Sequence, residues 1–385
     1  MPWKETFVVD TRMEFIVRLR NGERMTDLCR EFGVSRKTGY KILNRYKKFG
    51  PQGLLDQPKT PNVVPHATPD ETVKLILDLK ADMPSWGAKK LRDVLIKRNQ
   101  GVHIPARSTV HEILVRHKLV KHRKRRRKAS PTPVHQLTQP LAPNDVWGAD
   151  YKGQFRMLDR KYCYPLTISD LFSRDLLASE ALAHTREDEA RRTFEWAFDK
   201  YGLPLVIRTD NGCPFASTGL LGLSKLSVWW MTIGISHERI EPGHPEQNGV
   251  HERMHRTLKE DTTRPPAKNL LAQQQKFDGF IRMFNEERPH EGIGMKCPAE
   301  LYKLSERSAQ PFNGEYPLHD DVRKVQKCGH VKLWGRKQIY LSAALASQSV
   351  GIRELDDDRW LVSFMHLDLG FITINQNKFN PMETK

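Results

Sequence analysis

The sequence has few of the features that mark secreted, membrane or disulfide-stapled proteins. Its five cysteines are scattered singly along 385 residues, at Cys29, Cys163, Cys213, Cys297 and Cys328. This odd number and wide spacing argue against a disulfide framework or a zinc knuckle. No apolar run approaches the ~18 residues that a membrane span needs, and residues 1–5 contain no apolar signal core. We therefore expect a cytoplasmic protein without a membrane partner.

Aromatic residues make up 9% of the chain and hydrophobic residues 38%, which is low-normal for a folded protein. A fully disordered chain would contain fewer of both. The length of 385 residues is too great for a single small core and predicts two to four domains.

Positive charge is concentrated at one end of the chain. Lys and Arg total 63 against 46 Asp and Glu, a net charge of +17. Residues 1–141 contain 30 of these cations and 13 acids, whereas residues 142–385 contain 33 of each. A solvated basic surface is the simple alternative, but segregation this complete favours a nucleic-acid partner for the N-terminal third.

The first 57 residues have the pattern of a helix-turn-helix DNA-binding domain. A short helix over Thr26–Phe32 is followed by a turn at Gly33, a Ser35 N-cap and a basic helix over Arg36–Phe49. An ordinary helical hairpin is the alternative. The candidate DNA-binding residues of the second helix are Arg36, Lys37, Lys41 and Arg45.

A second helical domain is predicted over residues 58–120, after a proline-rich stretch. Helices over Asp70–Lys80 and Ala88–Lys97, with a third ending near His117, indicate another helix-turn-helix or winged-helix-like module. Residues 121–141 then form a basic, proline-rich linker that is suited to lie along phosphates. Its candidate DNA-binding residues are Arg123, Lys124, Arg125, Arg126 and Arg127.

From residue 142 the pattern changes to short strands that alternate with helices. Strands over Val146–Tyr151, Tyr162–Ser169 and Ser173–Glu180 precede a helix over Arg186–Tyr201 and a buried strand over Leu205–Thr209. A meander followed by a helix and a parallel strand predicts a mixed α/β layer fold over residues 142–305. Short strands at regular spacing over residues 311–385 predict a small β-barrel.

Three acidic neighbourhoods of the middle domain are candidates for a metal site. Asp150 lies in an otherwise apolar strand, Asp210 follows a second strand, and residues 243–253 lead into a helix with two further acids. Carboxylates that meet at one sheet edge suit two Mg²⁺ or Mn²⁺ ions held ~3.5–4 Å apart. In the alternatives, Asp210-Asn211-Gly212 is only a turn and Asp150 only a hydrogen-bonded core acid.

Other polar residues nearby are predicted to have no catalytic role. Asp145, Asp159 and Asp170 are interpreted as hairpin or surface positions. A zinc site is disfavoured for lack of a suitable cysteine partner. Its candidate ligands would be His237, His244, His251 and His255.

These motifs together resemble bacterial insertion-sequence transposases of the branch nearest to retroviral integrases. The resemblance covers nearly the whole chain and rests on Trp147-x-x-Asp150, Thr209-Asp210-Asn211-Gly212-x-Pro214-Phe215, Trp229-Trp230, Pro245-x-Gln247-Asn248-Gly249-x-x-Glu252 and Asn285-x-x-Arg288-Pro289-His290. It implies a ribonuclease H-like core with a mixed five-stranded sheet and a DDE triad of acids. It also implies two-metal cleavage of the element's end, followed by attack of the exposed 3′-hydroxyl on target DNA. A homo-oligomer, dimer or tetramer, associated with the bacterial nucleoid is expected on the same grounds.

The third acid of the triad is either Glu246 or Glu252. A spacing of 35 residues after Asp210 selects Glu246, but alignment of the motifs selects Glu252 in the first turn of a helix. We choose Glu252, because Arg256 and Lys259 then share its helix face and are candidates to bind DNA phosphates. A surface ion pair of Glu252 with Arg256 is the alternative.

The sequence therefore predicts a Mg-dependent enzyme that binds double-stranded DNA at element ends and joins them to target DNA. Its catalytic and metal-binding residues would be Asp150, Asp210 and Glu252. A related nuclease that only nicks DNA and a non-catalytic helix-turn-helix regulator are the alternatives.

Overall fold

The computed structural model describes residues 8–56, 67–120, 137–241, 244–333, 338–356, 358–373 and 375–382. The chain divides into two compact units, residues 1–67 and residues 68–385. The five arginine and lysine candidates of the basic linker, Arg123 to Arg127, lie outside the described residues. None of the helices in the described ranges combines the length and apolarity that crossing a bilayer requires.

In the described part of the first unit, the α-helices are α1 (Val8–Arg20), α2 (Met25–Glu31) and α3 (Arg36–Phe49). The Ser35 hydroxyl caps α3 by accepting a hydrogen bond from the backbone amide of Thr38 at 3.2 Å. Gly39 allows α3 to approach α2 closely, because an added Cβ would lie 2.7 Å from Sγ of Cys29. The predicted helix, turn and basic second helix are confirmed.

The second unit begins with a three-helix bundle of α4 (Asp70–Asp82), α5 (Ala88–Arg98) and α6 (Arg107–Arg116). Ile76, Trp86, Leu91 and Val110 are fully buried in its core. Residues 67–120 are all described and contain no strand, so these residues form no wing. The connection between α5 and α6, over residues 99–106, is longer than the turn between α2 and α3.

A mixed sheet forms the centre of the second unit. Its strands are β1 (Val146–Tyr151), β2 (Phe155–Arg156), β3 (Tyr162–Asp170), β4 (Leu176–Leu182), β5 (Val206–Thr209) and β6 (Ser236–Arg239). The main order is β4-β3-β1-β5-β6, and the two-residue β2 pairs with the start of β3. β1 is antiparallel to β3 and parallel to β5, and β5 is parallel to β6. The predicted five-stranded mixed sheet is confirmed, with β2 added.

Helices cover both faces of this sheet. On one face, α7 (Glu187–Tyr201) and α8 (Lys225–Thr232) pack Phe194 and Trp230 against Trp147 and Ile168. On the other, α9 (Gly249–Thr262) and α10 (Leu270–Arg282) bury side chains against the sheet, and a π-helical turn over Met283–Glu287 extends α10. This three-layer arrangement leaves the ends of β1 and β5 at one edge, where function is expected in such folds.

The predicted small β-barrel of the C-terminal region is not confirmed, because the main sheet there is open in the described residues. Strands β7 (Asp321–Lys324), β10 (Ser349–Asp356), β11 (Arg359–Phe364), β12 (Leu367–Thr373) and β13 (Lys378–Pro381) form an antiparallel sheet in the order β13-β12-β11-β10-β7. In the described residues β13 and β7 do not pair, while β8 (His330–Lys332) and β9 (Gln338–Tyr340) form a separate hairpin. β7 and β13 were not expected from the sequence.

Candidate active site

Asp150 and Asp210 lie at the carboxyl ends of two adjacent parallel strands. Ala149 of β1 and Thr209 of β5 are paired in register, so the two aspartates that follow them are neighbours at the same sheet edge. The negative charge of Asp210 acts on Asp150. The structure thus brings together two of the three acids that the sequence singled out.

The carboxylate of Asp150 is largely buried, with its side chain 15% exposed. Its Oδ2 accepts a 3.0 Å hydrogen bond from Nδ2 of Asn248 and lies 3.8 Å from Nδ1 of His255. Burial, reinforced by the charge of Asp210, raises the pKa of Asp150 to about 7, and the Asn248 hydrogen bond opposes this shift. A buried acid beside a second acid is stabilised in its ionised form by a cation, so this pair fits a divalent metal.

The residues after Asp210 form a tight turn around its carboxylate. Oδ1 of Asp210 accepts the backbone amide of Gly212 at 3.0 Å, and a Cβ on Gly212 would lie 3.0 Å from Oδ2. Asn211 donates its side-chain amide to the Ile240 carbonyl at 2.7 Å, directly after β6. The Asp-Asn-Gly sequence is therefore a turn and also presents an acid at the sheet edge.

Glu252 lies in the first turn of α9 with an exposed side chain. Asn248, which precedes that turn, contacts Asp150, so the start of α9 is adjacent to the aspartate pair. Within the described ranges, however, no three Asp, Glu, His or Cys side chains are close enough together to hold a metal ion. Glu252 does not pair within 4 Å with Arg256 in the described structure. The side chain of Glu246, the alternative third acid, lies outside the described residues.

The inner face of α9 carries two buried histidines, for which the sequence suggested only a role as zinc ligands. Nε2 of both His251 and His255 lies 2.7 Å from the hydroxyl of Thr167, and Nδ1 of His251 lies 3.1 Å from that of Ser169. Burial lowers the pKa of His251 to about 4 and also lowers that of His255. Both imidazoles are therefore neutral hydrogen-bonding groups that hold α9 against β3 behind Asp150.

The outer side of α9 carries the cations that the sequence singled out. Arg256 and Lys259 are exposed, on the same side of the helix as Glu252. Lys152, just after β1, was not singled out, yet burial and the charge of Lys259 lower its pKa. Lys152 could have been found from the sequence, because it lies two residues after Asp150. Cations therefore line the approach to the aspartate pair.

The basic helix of the first unit presents most of its predicted DNA-binding residues to solvent. Arg36, Lys37 and Lys41 are exposed. Arg45 is half-buried and donates a hydrogen bond from Nη2 to the carbonyl of Leu55. Its guanidinium thus holds the end of the unit in place, and this contact competes with a role in binding DNA.

Asp170 is at a hairpin, as interpreted from the sequence, but it is not a surface residue. Its side chain is fully buried and accepts hydrogen bonds from the backbone amides of Asn144 at 2.8 Å and Ser173 at 2.7 Å. It organises the turn between β3 and β4 at the sheet end opposite to the aspartate pair. Asp145 accepts the amides of Leu141 and Ala142 and acts as a turn residue.

Comparison with known proteins places these elements in a family. Profiles of the integrase core domain match residues 140–245 and 233–298, a helix-turn-helix profile matches residues 11–61, and a homeodomain-like profile matches residues 38–114. An uncharacterised 39.2 kDa protein of insertion element IS476 from Xanthomonas euvesicatoria is 28% identical over 197 residues, which cover 49% of this chain and 55% of that protein. The chain therefore contains an integrase core domain and a helix-turn-helix domain.

Other relatives of this chain include bacterial and viral proteins. An uncharacterised 31.7 kDa protein of insertion element IS407 from Burkholderia multivorans is 24% identical over 59% of this chain and 78% of its own length. The Pol polyprotein of feline endogenous virus ECE1 is 31% identical over 35% of this chain and 12% of that protein. The match thus spans about half the length of the IS476 protein and a small part of the viral polyprotein.

Solved structures of retroviral integrases are also similar to this chain. The catalytic core domain of HTLV-2 integrase in complex with magnesium matches with 18% identity and a TM-score of 0.32, over 43% of this chain and 100% of that one. The low TM-score means that this likeness supports no conclusion about the site. The helix-turn-helix and integrase-core profiles together indicate a DNA-binding protein.

Proposed function

We propose that the chain is the transposase of an insertion sequence. It binds the inverted repeats at the element's ends, cleaves the DNA there and joins the ends to target DNA. The observation that carries this proposal is the pair of carboxylates, Asp150 and Asp210, at the ends of adjacent parallel strands beside the start of α9. A non-catalytic regulator would have no need for a buried acid pair of this kind.

Three carboxylates, Asp150, Asp210 and Glu252, would hold two Mg²⁺ or Mn²⁺ ions. The fit rests on the chemistry of the donors, since hard divalent cations prefer carboxylate oxygens and relieve the repulsion between the two neighbouring aspartates. Glu252 is assigned because it lies one turn beyond Asn248, which contacts Asp150. Bound ions would supply Lewis-acid activation of the attacking oxygen and charge stabilisation of the leaving oxygen.

The protein's own side chains would position the acids and the DNA. Asn248 orients the Asp150 carboxylate, and neutral His255 excludes water from behind it. Arg256 and Lys259 would hold phosphates next to Glu252. In the joining step, the element's 3′-hydroxyl oxygen forms a bond to a target phosphorus while that phosphorus loses its bond to the target's own 3′ oxygen. The hydroxyl proton passes to solvent, and no covalent bond to the protein forms.

The basic N-terminal third would recognise the ends. We assign recognition to a domain of residues 1–57, through Arg36, Lys37 and Lys41 on α3. A second helical domain of residues 58–120 and the linker of residues 121–141 would grip the flanking backbone, the linker through Arg123, Lys124, Arg125, Arg126 and Arg127. Catalysis would belong to residues 142–305, and residues 311–385 would form a further module. A dimer or tetramer in the bacterial nucleoid would pair two ends.

The test is a joining assay with the full chain, Mg²⁺, a labelled duplex from the DNA that flanks the gene and a target plasmid. We expect both cleaved ends and joined products, and neither with Asp150→Asn, which should bind the duplex as the unmodified chain does. Cleavage without joined product would favour the nuclease. If the chain binds the duplex but gives neither cleaved ends nor joined products with any divalent metal, the regulator is favoured and the proposal is overturned.

A further inference from the structure

A strongly cationic cleft lies beside α9, next to the end of β3. It encloses about 590 Å³ between α5, α9 and the segment that follows the π-helical turn. Its charged walls are Lys90 of α5, Arg174 of the β3–β4 turn, Arg253 and Arg256 of α9, Arg288 and one acid, Glu291. The cleft therefore contains five cations and a single carboxylate.

The α5 wall of the cleft is held in place by ion pairs on its neighbouring residues. Lys97 pairs with Glu300 at 3.3 Å and Arg98 with Glu287 at 2.9 Å. Lys89 pairs with Glu291 at 3.3 Å. Met283 packs into the core of the α4–α6 bundle. The three-helix bundle is thus docked onto the segment that follows α10, and this docking places Lys90 inside the cleft.

Arg288 and Arg174 form the inner walls of the cleft. Arg288 is 9% exposed; its Nη2 donates to the Thr257 hydroxyl at 3.3 Å and its Nη1 lies 3.8 Å from Asp261. The Arg174 guanidinium lies over Gly292, where a Cβ would be 2.7 Å from Nη2. Nε of Arg174 is buried and makes no hydrogen bond within the described residues. Donors are therefore available inside a preformed site.

The cations of the cleft repel one another. Burial, reinforced by the charge of Arg288, lowers the pKa of Lys90 to about 8. Burial and the charge of Arg253 likewise lower the pKa of Arg174. Like charges gathered in a partly desolvated cleft are destabilising unless an anion binds between them.

We propose that this cleft binds backbone phosphates of the DNA substrate. Planar guanidinium groups and a lysine suit phosphate oxygens, and the cleft has room for more than one such group. Its Arg253 is adjacent in sequence to Glu252, and its Arg256 shares the helix face of Glu252, so a strand in the cleft would continue to the acids. The inference rests on the proposed function, since it assigns a path to the DNA on which that function acts.

The test is the salt dependence of DNA binding by the full chain without metal, measured by fluorescence anisotropy. Replacing Arg174 and Lys90 by Gln should reduce the slope of log affinity against log salt by about two units, roughly one per lost phosphate contact. A control that replaces exposed Lys268 and Lys276 by Gln removes the same charge outside the cleft and should leave the slope unchanged. Circular dichroism and thermal melting establish that each variant is folded.

Gly292→Ala provides a second variant that keeps every charge of the cleft. The added methyl group displaces the Arg174 guanidinium, so we expect the slope to fall by about one unit. Inorganic triphosphate, titrated at constant ionic strength, distinguishes a small-anion site from a DNA site. Tight triphosphate binding that leaves DNA affinity unchanged would overturn the inference, as would equal slopes for the cleft and control variants. Absence of any DNA binding by the unmodified chain would instead contradict the proposed function.

Discussion

The side-chain amide of Asn248 donates a 3.0 Å hydrogen bond to Oδ2 of Asp150 and so joins the start of α9 to the end of β1. This bond opposes the burial that raises the pKa of Asp150. It is also the contact that brings the first turn of α9, with Glu252, to the aspartate pair. Asn248 is therefore a positioning residue for the proposed metal site.

Replacing Asn248 by Ala should slow DNA cleavage and joining by about 10- to 100-fold. A hydrogen bond to a charged group contributes roughly 1.5–3 kcal/mol, and its loss would leave Asp150 poorly oriented and less readily ionised. The measurement is the rate of joined-product formation across a Mg²⁺ titration, with DNA affinity measured in parallel. Thr263→Ala, at the other end of α9, is the control. If the rate and the Mg²⁺ requirement are the same in both variants, Asn248 has no such role.

Glu252→Gln should abolish both cleavage and joining, while Glu246→Gln should retain most of the activity. A metal site that loses one of three carboxylates loses charge as well as a ligand, so the effect should exceed 100-fold, about 3 kcal/mol in the barrier. The assay is joined-product formation in Mg²⁺ and again in Mn²⁺. The reverse result, with Glu246→Gln inactive and Glu252→Gln active, would show that Glu246 is the third metal-binding acid.

DNA binding should weaken as the pH rises through about 8. Lys90 has a pKa of about 8 in the cleft, and a bound phosphate favours its protonated form. At pH 7 it is largely charged and binds phosphate, whereas at pH 9 it is largely neutral. The charged groups that act on it are Arg288, Glu291 and Asp261.

The measurement is the salt slope of DNA binding at pH 7 and at pH 9. We expect it to fall by up to about one unit in the unmodified chain. Lys90→Arg should remove this change, because a guanidinium stays charged throughout the range. A pH dependence that persists in Lys90→Arg would show that another group is responsible.

Asn285→Ala should destabilise the second unit by about 2–4 kcal/mol. The Asn285 side chain is buried; it accepts the Leu176 amide at 2.9 Å, and it donates to the Leu176 carbonyl at 3.1 Å and to Asp175 at 2.9 Å. Alanine would leave these buried groups without partners. The measurement is urea unfolding followed by tryptophan fluorescence, with Asn313→Ala in an exposed segment as the control. Equal urea midpoints for Asn285→Ala and Asn313→Ala would contradict the stabilising role of Asn285.

Local patterns were sufficient for much of the fold. The residues of β1 and α3 are those expected from the apolar run of β1 and the Ser35 cap of α3, because these signals are local in sequence. Strands β6 and β7 were missed, since both are short and polar and form only because neighbouring strands pair with them. The predicted small β-barrel is not confirmed, because barrel closure depends on pairing between distant strands, which local spacing does not encode.

Within the site, residue type and sequence neighbourhood identified the acids, but the tertiary structure decided their surroundings. Asp150 and Asp210 could be chosen from the sequence, because an acid in or after an apolar strand is costly without a partner. That Asn248 contacts Asp150, that His251 and His255 bond to Thr167, and that Asp170 is buried required the packing of α9 and the β3–β4 turn on the sheet.

The sequence by itself determined the class of protein, since segregated charge and short motifs depend on residue identity alone. Only the tertiary structure showed that cations from α5, α9 and the β3–β4 turn share one cleft. Lys90 and Arg288 are almost 200 residues apart in sequence, and no periodicity relates them. Their proximity results from the docking of the α4–α6 bundle, through Lys97 and Arg98, onto the segment after α10.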